Sequence, residues 1–326
     1  MAIITAEDQL LHNEWHPVYP SVKLADGMVH GVRLLEEDIV IWRLDGKVMA
    51  WQDLCIHRGS RLSKGQVQAG CLVCPYHGWS YDDSGRCTHI PAHPEQTPPT
   101  KARVKSFNTC EAYGMIWICV EEPEQEIPPF PEWCNDEFRK LFCGPYTVNA
   151  SGPRVIENFL DIAHFPFVHE GILGDQGHPE IEDYEAAIGP EGVVAQGVRV
   201  YQPDPYGTGQ GDTVSYTYKA LRPLTAYLLK ESDGPRFSIL LMITPHSPNE
   251  STAWMWMAMN YSHDTPEDEL VAWQDQIFEQ DRPILENQRP ELLPLDLQAE
   301  LHLKSDRLAL AYRRWLNELG MTFGTA

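Results

Sequence analysis

The sequence predicts an α+β protein in two parts, an all-β N-terminal domain followed by a domain in which strands give way to helices. Three observations carry this prediction. The chain of 326 residues is longer than one ordinary hydrophobic core supports. Its first third shows the short apolar runs and tight turn signals of strands rather than a helical period. A stretch rich in Pro and Glu, Glu121–Pro131 (EEPEQEIPPFP), then interrupts all periodicity, as an exposed connection between domains does.

Residues 28–35 and 38–44 are rich in Val, Ile and Leu, and Asp45-Gly46 leads straight into Lys47–Trp51, a strong hairpin signal. Tyr113–Val120 (YGMIWICV) reads as a further strand, preceded by turn-rich loops such as Pro91–Thr100. The boundary falls near residues 121–145, which gives domains 1–130 and 131–326. Beyond it come a short helix over Val155–His164, a β-rich middle from about 185 to 261 and a helical end from about 266 to 319. Phe237–Thr244 and Thr252–Tyr261 pair around the turn His246–Ser251. The second strand has bulky residues at every position (AWMWMAMNY), which implies burial of both faces. Met255, Trp256, Met257 and Met259 are therefore core residues, or some of them line an apolar pocket.

Composition narrows the function. With 25 Lys+Arg against 47 Asp+Glu the net charge is −22, which argues against nucleic acid or an anionic membrane as the main partner. No apolar run approaches the roughly 18 to 20 residues of a membrane span, and the opening MAIITAEDQLLHNEW has no basic segment followed by an apolar one. A cytoplasmic location is expected. The cysteines are interspersed with histidines in a long chain, so metal ligation is a better first reading than disulfides. Cys87, Cys110, Cys119, Cys134 and Cys143 lack histidine companions and are expected to be buried reduced thiols.

The first constellation is Cys55-x-His57, sixteen intervening residues, then Cys74-x-x-His77. Each of two loops thus offers one thiolate and one imidazole, the symmetry that a mixed-ligand [2Fe–2S] cluster requires, with two cysteines on one iron and two histidines on the other. Structural zinc is the competing reading, since two Cys and two His complete a tetrahedral site. A Cys-x-His pair matches a zinc knuckle poorly, and Cys71-x-x-Cys74 has no second CxxC to complete it.

The second constellation lies beyond the boundary, in Asn158-Phe-Leu-Asp161-Ile-Ala-His164-Phe-Pro-Phe-Val-His169. On one helix Asp161 and His164 share a face, whereas His169 points about 140° from His164, so Pro166 is expected to break or bend the segment and let both imidazoles converge. Two histidines with one carboxylate form the facial triad of non-haem Fe(II) oxygenases. For the carboxylate, the apolar positions Leu270, Ile277, Phe278 and Leu285 trace one helical stripe into which Asp281 falls, while Glu279 and Glu286 lie off it. Asp281 is the expected third ligand, with a buried salt bridge as its alternative. A zinc hydrolase is the weaker reading, because HFPFVH is not HExxH and carries no general-base glutamate.

Family resemblance sharpens both sites. CIHRGSRLSKG and CPYHGWSYDDSGRC resemble the Rieske domains of ring-hydroxylating oxygenases. The segments NFLDIAHFPFVH, EQDRPILENQRP and LPLDLQAELHLKSDRLALAYRRWL resemble the subgroup that includes vanillate and dicamba O-demethylases, caffeine-type N-demethylases and paralytic-alkaloid hydroxylases. The resemblance implies an N-terminal all-β Rieske domain, a helix-grip (START-like) catalytic domain, and loop-shaping roles for Arg58, Gly59, Gly78 and Trp79. It further implies a homotrimer in which the cluster of one protomer faces the mononuclear iron of its neighbour, with Asp161 bridging the histidines across the interface and Asn158 near the iron. Electrons would come from NAD(P)H through a separate reductase or ferredoxin, since the chain has no GxGxxG fingerprint, and O2 would be the co-substrate. Hydroxylation or oxidative demethylation of a polycyclic or heteroaromatic small molecule is expected ahead of cis-dihydroxylation. A Rieske electron carrier without oxygenase activity is the reading from another class.

Overall fold

The computed structural model describes residues 9–231 and 234–326. Two compact units divide the described residues, Leu11–Ile127 forming one and Pro128–Ala326, with Gln9 and Leu10, the other. A helical turn, α1 (Gln9–His12), leads into the strands β1 (His16–Pro20), β2 (Val29–Leu34), β3 (Glu37–Leu44) and β4 (Lys47–Gln52). Four short strands follow, β5 (Gln66–Gln68), β6 (Cys71–Val73), β7 (Ser80–Tyr81) and β8 (Cys87–His89), and then β9 (Ser106–Ala112) and β10 (Met115–Cys119). The longer strands form a six-stranded sheet in the order β1-β10-β9-β4-β3-β2, and the short ones form their own sheet, β5-β6-β7-β8.

Turn chemistry sets the hairpins. Asp45 and Gly46 both take positive φ, 49° and 78°, as a two-residue turn matched to strand twist demands. Tyr113 and Gly114 do the same, at 51° and 67°, so the expected strand 113–120 starts only at Met115 and its first two residues are the turn from β9. Between the sheets lies one core, in which the fully buried Trp42 and Trp51 meet edge to face at 4.9 Å. Such a pair adds about 0.5–1.5 kcal/mol beyond the area it buries. Leu62, Leu72 and Tyr81 complete that core, and Cys55 and Cys74 stand at its edge.

The second unit opens with β11 (Arg139–Val148), α2 (Gly152–Leu160) and α3 (Phe165–Val168). Then come β12 (Ala186–Gly189), β13 (Gly192–Gln202), β14 (Asp212–Arg222), β15 (Thr225–Glu231), β16 (Arg236–Ser247), β17 (Glu250–Met259), α4 (Glu267–Asn287) and α5 (Arg307–Glu318). The strands form one antiparallel sheet, β11-β17-β16-β15-β14-β13-β12. Its register aligns Tyr216, Lys230, Phe237 and Met259 in one cross-strand row, and Tyr218, Leu228, Ile239 and Met257 in the next. Because side chains alternate along a strand, these rows share one face, which α2 and α4 cover. The opposite face carries Tyr227, Leu240 and Trp256; there Trp133 meets Trp256 at 4.9 Å and the Tyr227 hydroxyl donates to Glu132 at 2.7 Å. The whole is the expected α+β class, all-β first and helix-grip second.

Several expectations need correction. The helix expected over Val155–His164 stops at Leu160, so Asp161 and His164 do not share a helix face. Pro166 bends no helix; it occupies the first turn of α3, where its missing N–H costs nothing. The helical end is two helices parted by an irregular segment, residues 288–303, which the Leu and Pro content of LPLDLQ did not distinguish from helix. Cys87, Cys119 and Cys143 are buried free thiols, but Cys110 is half-buried and Cys134 is exposed at the end of a single turn, Pro131–Cys134. No helix among the described residues is long and apolar enough to cross a membrane.

Candidate metal centres

In the first unit two loops repeat one backbone design. Cys55 N–H donates to Ser60 O and Gly59 N–H to Cys55 O; Cys74 N–H donates to Trp79 O and Gly78 N–H to Cys74 O. Gly59 and Gly78 both have φ of +70°, a conformation that L side chains resist. Buried Asp53 anchors the first loop by accepting from Ser63 N–H at 2.7 Å and Ser63 Oγ–H at 2.6 Å. Both cysteines are buried, His57 is half-buried and His77 is exposed, so sulfur faces the core and imidazole faces outward.

The donor set fits a mixed cluster. His57 Nδ1 is buried without a hydrogen-bond partner, a vacancy that a metal bond explains. The ring of His57 stacks on Trp79 at 4.6 Å, within 5° of parallel, and meets His77 at 4.6 Å, so both imidazoles stand on the same side. Burial pushes the Cys55 thiol above its ordinary value, although the Tyr81 hydroxyl, 3.1 Å from Sγ, acts in the opposite direction. Metal binding is what makes such a thiol a thiolate. Cys71 Sγ lies 3.8 Å from Thr88 Oγ1.

In the second unit the chain leaves α2 through a turn built by Asp161. Its Oδ1 accepts from Ala163 N–H at 2.9 Å, and its Oδ2 accepts from His164 Nδ1–H at 2.9 Å. Burial raises the Asp161 carboxyl, but the hydrogen bond and charge of His164, with the backbone N–H groups, outweigh it and hold the carboxyl below its ordinary value. The segment then closes back through α3. Gly174 packs there so tightly that a Cβ would stand 2.5 Å from Pro166 N. His169, almost fully buried, donates from Nδ1 to Gln280 Oε1 at 2.8 Å.

With both Nδ1 atoms occupied, both Nε2 lone pairs are left for a metal. His164 Nε2 and His169 Nε2 lie 3.2 Å apart, and Asp281 Oδ1 lies 3.5 Å from the first and 3.2 Å from the second. Ligands about 2.1 Å from one metal and mutually perpendicular stand about 3.0 Å apart, so the trio fits a facial set. Asn158 Nδ2–H approaches the same Asp281 oxygen at 3.4 Å. Burial disfavours a charged His169, yet the Asp281 carboxylate beside it raises its affinity for a proton, which marks the point as cation-seeking.

This trio lines a cavity whose remaining wall is mostly apolar, with Val155, Phe159, Phe165, Leu173, Leu228, Ile239, Leu241, Met255, Ile277 and Phe278 among its residues. Of the methionines in question, Met255 lines this cavity, whereas Met257 and Met259 line a neighbouring one. Gln280, Tyr81 and the cavity lysine Lys230 were missed in the sequence. Gln280 is one glutamine beside Asp281 with no spacing of its own, and only the alternation of Trp79 and Tyr81 hinted that Tyr81 points inward.

An electron-transfer cluster with its histidine face outward, and a facial trio opening on an apolar chamber, define the class as a Rieske non-haem iron oxygenase. Residues 14–108 match the Rieske [2Fe–2S] domain and residues 148–321 match the vanillate O-demethylase oxygenase C-terminal domain, so the chain belongs to that oxygenase family. It is an oxidoreductase of the monooxygenase kind, with a Rieske cluster, a mononuclear iron, O2 as co-substrate and electrons from a reductase. Methylxanthine N1-demethylase NdmA of Pseudomonas putida is 32% identical over 98% of this chain and 92% of its own length. A solved structure of an NdmA mutant with caffeine superposes with a TM-score of 0.83, at 29% identity, covering 97% of this chain and 92% of that one. Oxidoreductase NdmD, also of Pseudomonas putida, is 40% identical over 116 residues, 35% of this chain and 20% of NdmD.

Proposed function

We propose that this chain is a terminal oxygenase that removes a methyl group from, or hydroxylates, a heteroaromatic small molecule. In this reading His164, His169 and Asp281 hold the mononuclear iron, and Cys55, His57, Cys74 and His77 hold the cluster. The observation that carries it is the meeting of two Nε2 atoms and one carboxylate oxygen within 3.5 Å of one another in the wall of the apolar cavity. Similarity to NdmA along nearly the whole chain favours demethylation of a nitrogen or oxygen substituent. Iron bound there supplies oxygen activation with electrons from the cluster.

The protein's own residues set the conditions. Asp161 and Gln280 fix the tautomer and aim of the two imidazoles, and Asn158 steadies the Asp281 oxygen. Phe159, Ile239, Leu241 and Ile277 exclude water and hold a flat ring by contact. A methyl on nitrogen or oxygen presented to the site leaves as formaldehyde once hydroxylated, the heteroatom keeping the proton, whereas a ring carbon keeps its hydroxyl, so the pose of the substrate decides the product.

The chain is read as one subunit of a homotrimer that receives electrons from a separate reductase of the NdmD kind. Exposed apolar side chains support the assembly. Ile56 and Tyr76 stand out beside the cluster ligands, and Leu301, 89% exposed, stands beside Asp161 in a shallow cleft with His302 and Arg313. On this reading the two patches are partly hydrophobic surfaces between which electrons would cross. Sedimentation equilibrium should return three chain masses, and a monomer would remove the cross-subunit route.

The deciding experiment is Asp281→Ala. It should retain the Rieske EPR signal, lose the second iron and abolish product. Undiminished product formation would overturn the ligand assignment.

A further inference from the structure

Two surface patches of this chain combine exposed apolar side chains with a polar group that has capacity to spare. In the first, Leu54 and Ile56 flank Cys55, Tyr76 precedes His77, and all three apolar side chains are exposed. A metal bond at the unpartnered Nδ1 of His57 leaves the Nε2–H of that ring as a donor. The second patch is the cleft lined by Asp161, where Ile284 and Leu301 are exposed, and Leu303 stands exposed two residues beyond Leu301. Asp161 retains lone pairs there beyond those given to Ala163 and His164. Apolar side chains left in water around a polar group mark a surface shaped for another macromolecule.

Each patch also carries one charge that the chain itself does not answer. Arg58, the residue after His57, is exposed and pairs with nothing among the described residues. Its loop is closed by backbone bonds and by Asp53, so the guanidinium is not needed to shape it. Arg61, three residues on, is by contrast paired with Asp38 at 2.7 Å. In the cleft, Glu300 is held by Arg154 at 3.0 Å and by Arg313 at 2.6 Å, Glu157 is held by the same two arginines, and Asp161 is held by His164. Asp306 differs from them: it accepts from Leu303 N–H at 2.7 Å and from Ser305 Oγ–H at 3.0 Å, and no cation among the described residues pairs with it. With a net charge of −22, two copies of this chain repel one another unless a cation of one meets an anion of the other.

We propose that Arg58 of one copy pairs with Asp306 of a second copy, and that this ion pair sets the register in which the cluster histidines meet Asp161. The proposal rests on the subunit reading given above and names the charges that specify it. A second copy is the occupant of the cleft because both halves of the contact lie on this one chain. One patch offers a cation and an imidazole N–H among apolar side chains, and the other offers an anion and a carboxylate acceptor among apolar side chains. Unlike but complementary patches on one chain join head to tail, and such contacts generate a ring where the rotation closes. Arg58 is thereby a positioning residue, acting through His57, His77 and Asp161, and Asp306 is its counterpart at the receiving site.

The test uses the full chain loaded with cluster and iron, and its first readout needs no turnover. Isotope-labelled and unlabelled Arg58→Lys protein, assembled together and treated with a carbodiimide, should form an amide between the introduced amine and Asp306. Mass spectrometry should find that link joining a labelled to an unlabelled chain, and Asp306→Asn, which keeps the acceptor for Leu303 N–H, should abolish it. Arg58→Glu and Asp306→Arg should each raise the dissociation constant between copies about tenfold or more in sedimentation equilibrium, and the double variant should return to within about threefold of native. Reduction of the mononuclear site in single turnover should fall and recover in step, with the Rieske EPR signal showing that the cluster persists. Links absent or confined to one chain in assembled protein, or charge reversals whose effects simply add, overturn the Arg58–Asp306 pair alone. Native protein that stays monomeric, or that binds only an added reductase of the NdmD kind, overturns the subunit reading and the pair with it.

Discussion

His169 Nδ1 donates to Gln280 Oε1 at 2.8 Å, while the next residue of the same helix, Asp281, brings Oδ1 to 3.2 Å from the opposite nitrogen of the same ring. Two consecutive residues of α4 therefore grip one imidazole at both ends. Any shift of that helix moves ring and carboxylate together, so their separation is preserved.

Gln280→Leu should consequently weaken iron without removing a ligand. The His169 ring loses its anchor and its tautomer preference, and affinity for the mononuclear metal should fall about 10–100-fold. Chelator competition measures this, with the Rieske absorbance as an internal control. Unchanged metal affinity would show that packing alone orients the ring.

Asp161→Asn keeps an acceptor for His164 Nδ1 but removes the charge. Both iron sites should remain filled, while reduction of the mononuclear site by the cluster slows about tenfold or more in single turnover. Normal transfer kinetics would count against Asp161 as the link between subunits.

The twin glycines offer a graded test of the cluster loops. Alanine at Gly59 meets only Leu54 Cδ1 at 3.6 Å, whereas at Gly78 its Cβ meets Pro91 Cγ at 3.0 Å, and both positions have φ of +70°. Gly59→Ala should cost about 1 kcal/mol and Gly78→Ala somewhat more. Thermal melts of the two variants, read beside cluster absorbance, check the order; equal losses would mean that backbone strain alone matters.

Lys230 also makes stability depend on pH. Its amine is depressed to about 8 from an ordinary 10.5, so the folded protein carries an unfavourable buried charge below pH 8. Between about 8 and 10.5 the unfolded chain binds more protons than the folded one, and stability from this group rises with pH. Lys230→Met should therefore stabilise the ligand-free protein at pH 7 by about 1–3 kcal/mol, with the advantage shrinking toward pH 10. Denaturant titrations at several pH values measure it, and a constant difference would place the cost elsewhere than in the charge.

Much of the molecule was readable because its signals are periodic or paired. The hairpin at Asp45-Gly46, the α4 stripe that singles out Asp281, and the two Cys/His loops all carry spacing that only a few structures satisfy. The misses have local causes. Strands of two or three residues, β5 to β8, are too short to show a period, although they carry the loops of both cluster pairs. The helix break after Leu160 comes from Asp161 turning its carboxylate onto Ala163 N–H, a competition between side chain and helix that no hydrophobic pattern records. Gln280 and Lys230 were invisible because their importance lies in what stands across from them, on α3 for one and along the β14–β16 rows for the other.

The chamber wall alternates residue by residue with the opposite face of the same sheet, Ile239 and Leu241 looking in while Leu240 and Met242 look out. Appetite and architecture are thus written on separate letters of the same strands. A lineage of such enzymes can trade one inward residue at a time and acquire a new diet, while the outward residues, the ladder and the iron trio pass on unaltered.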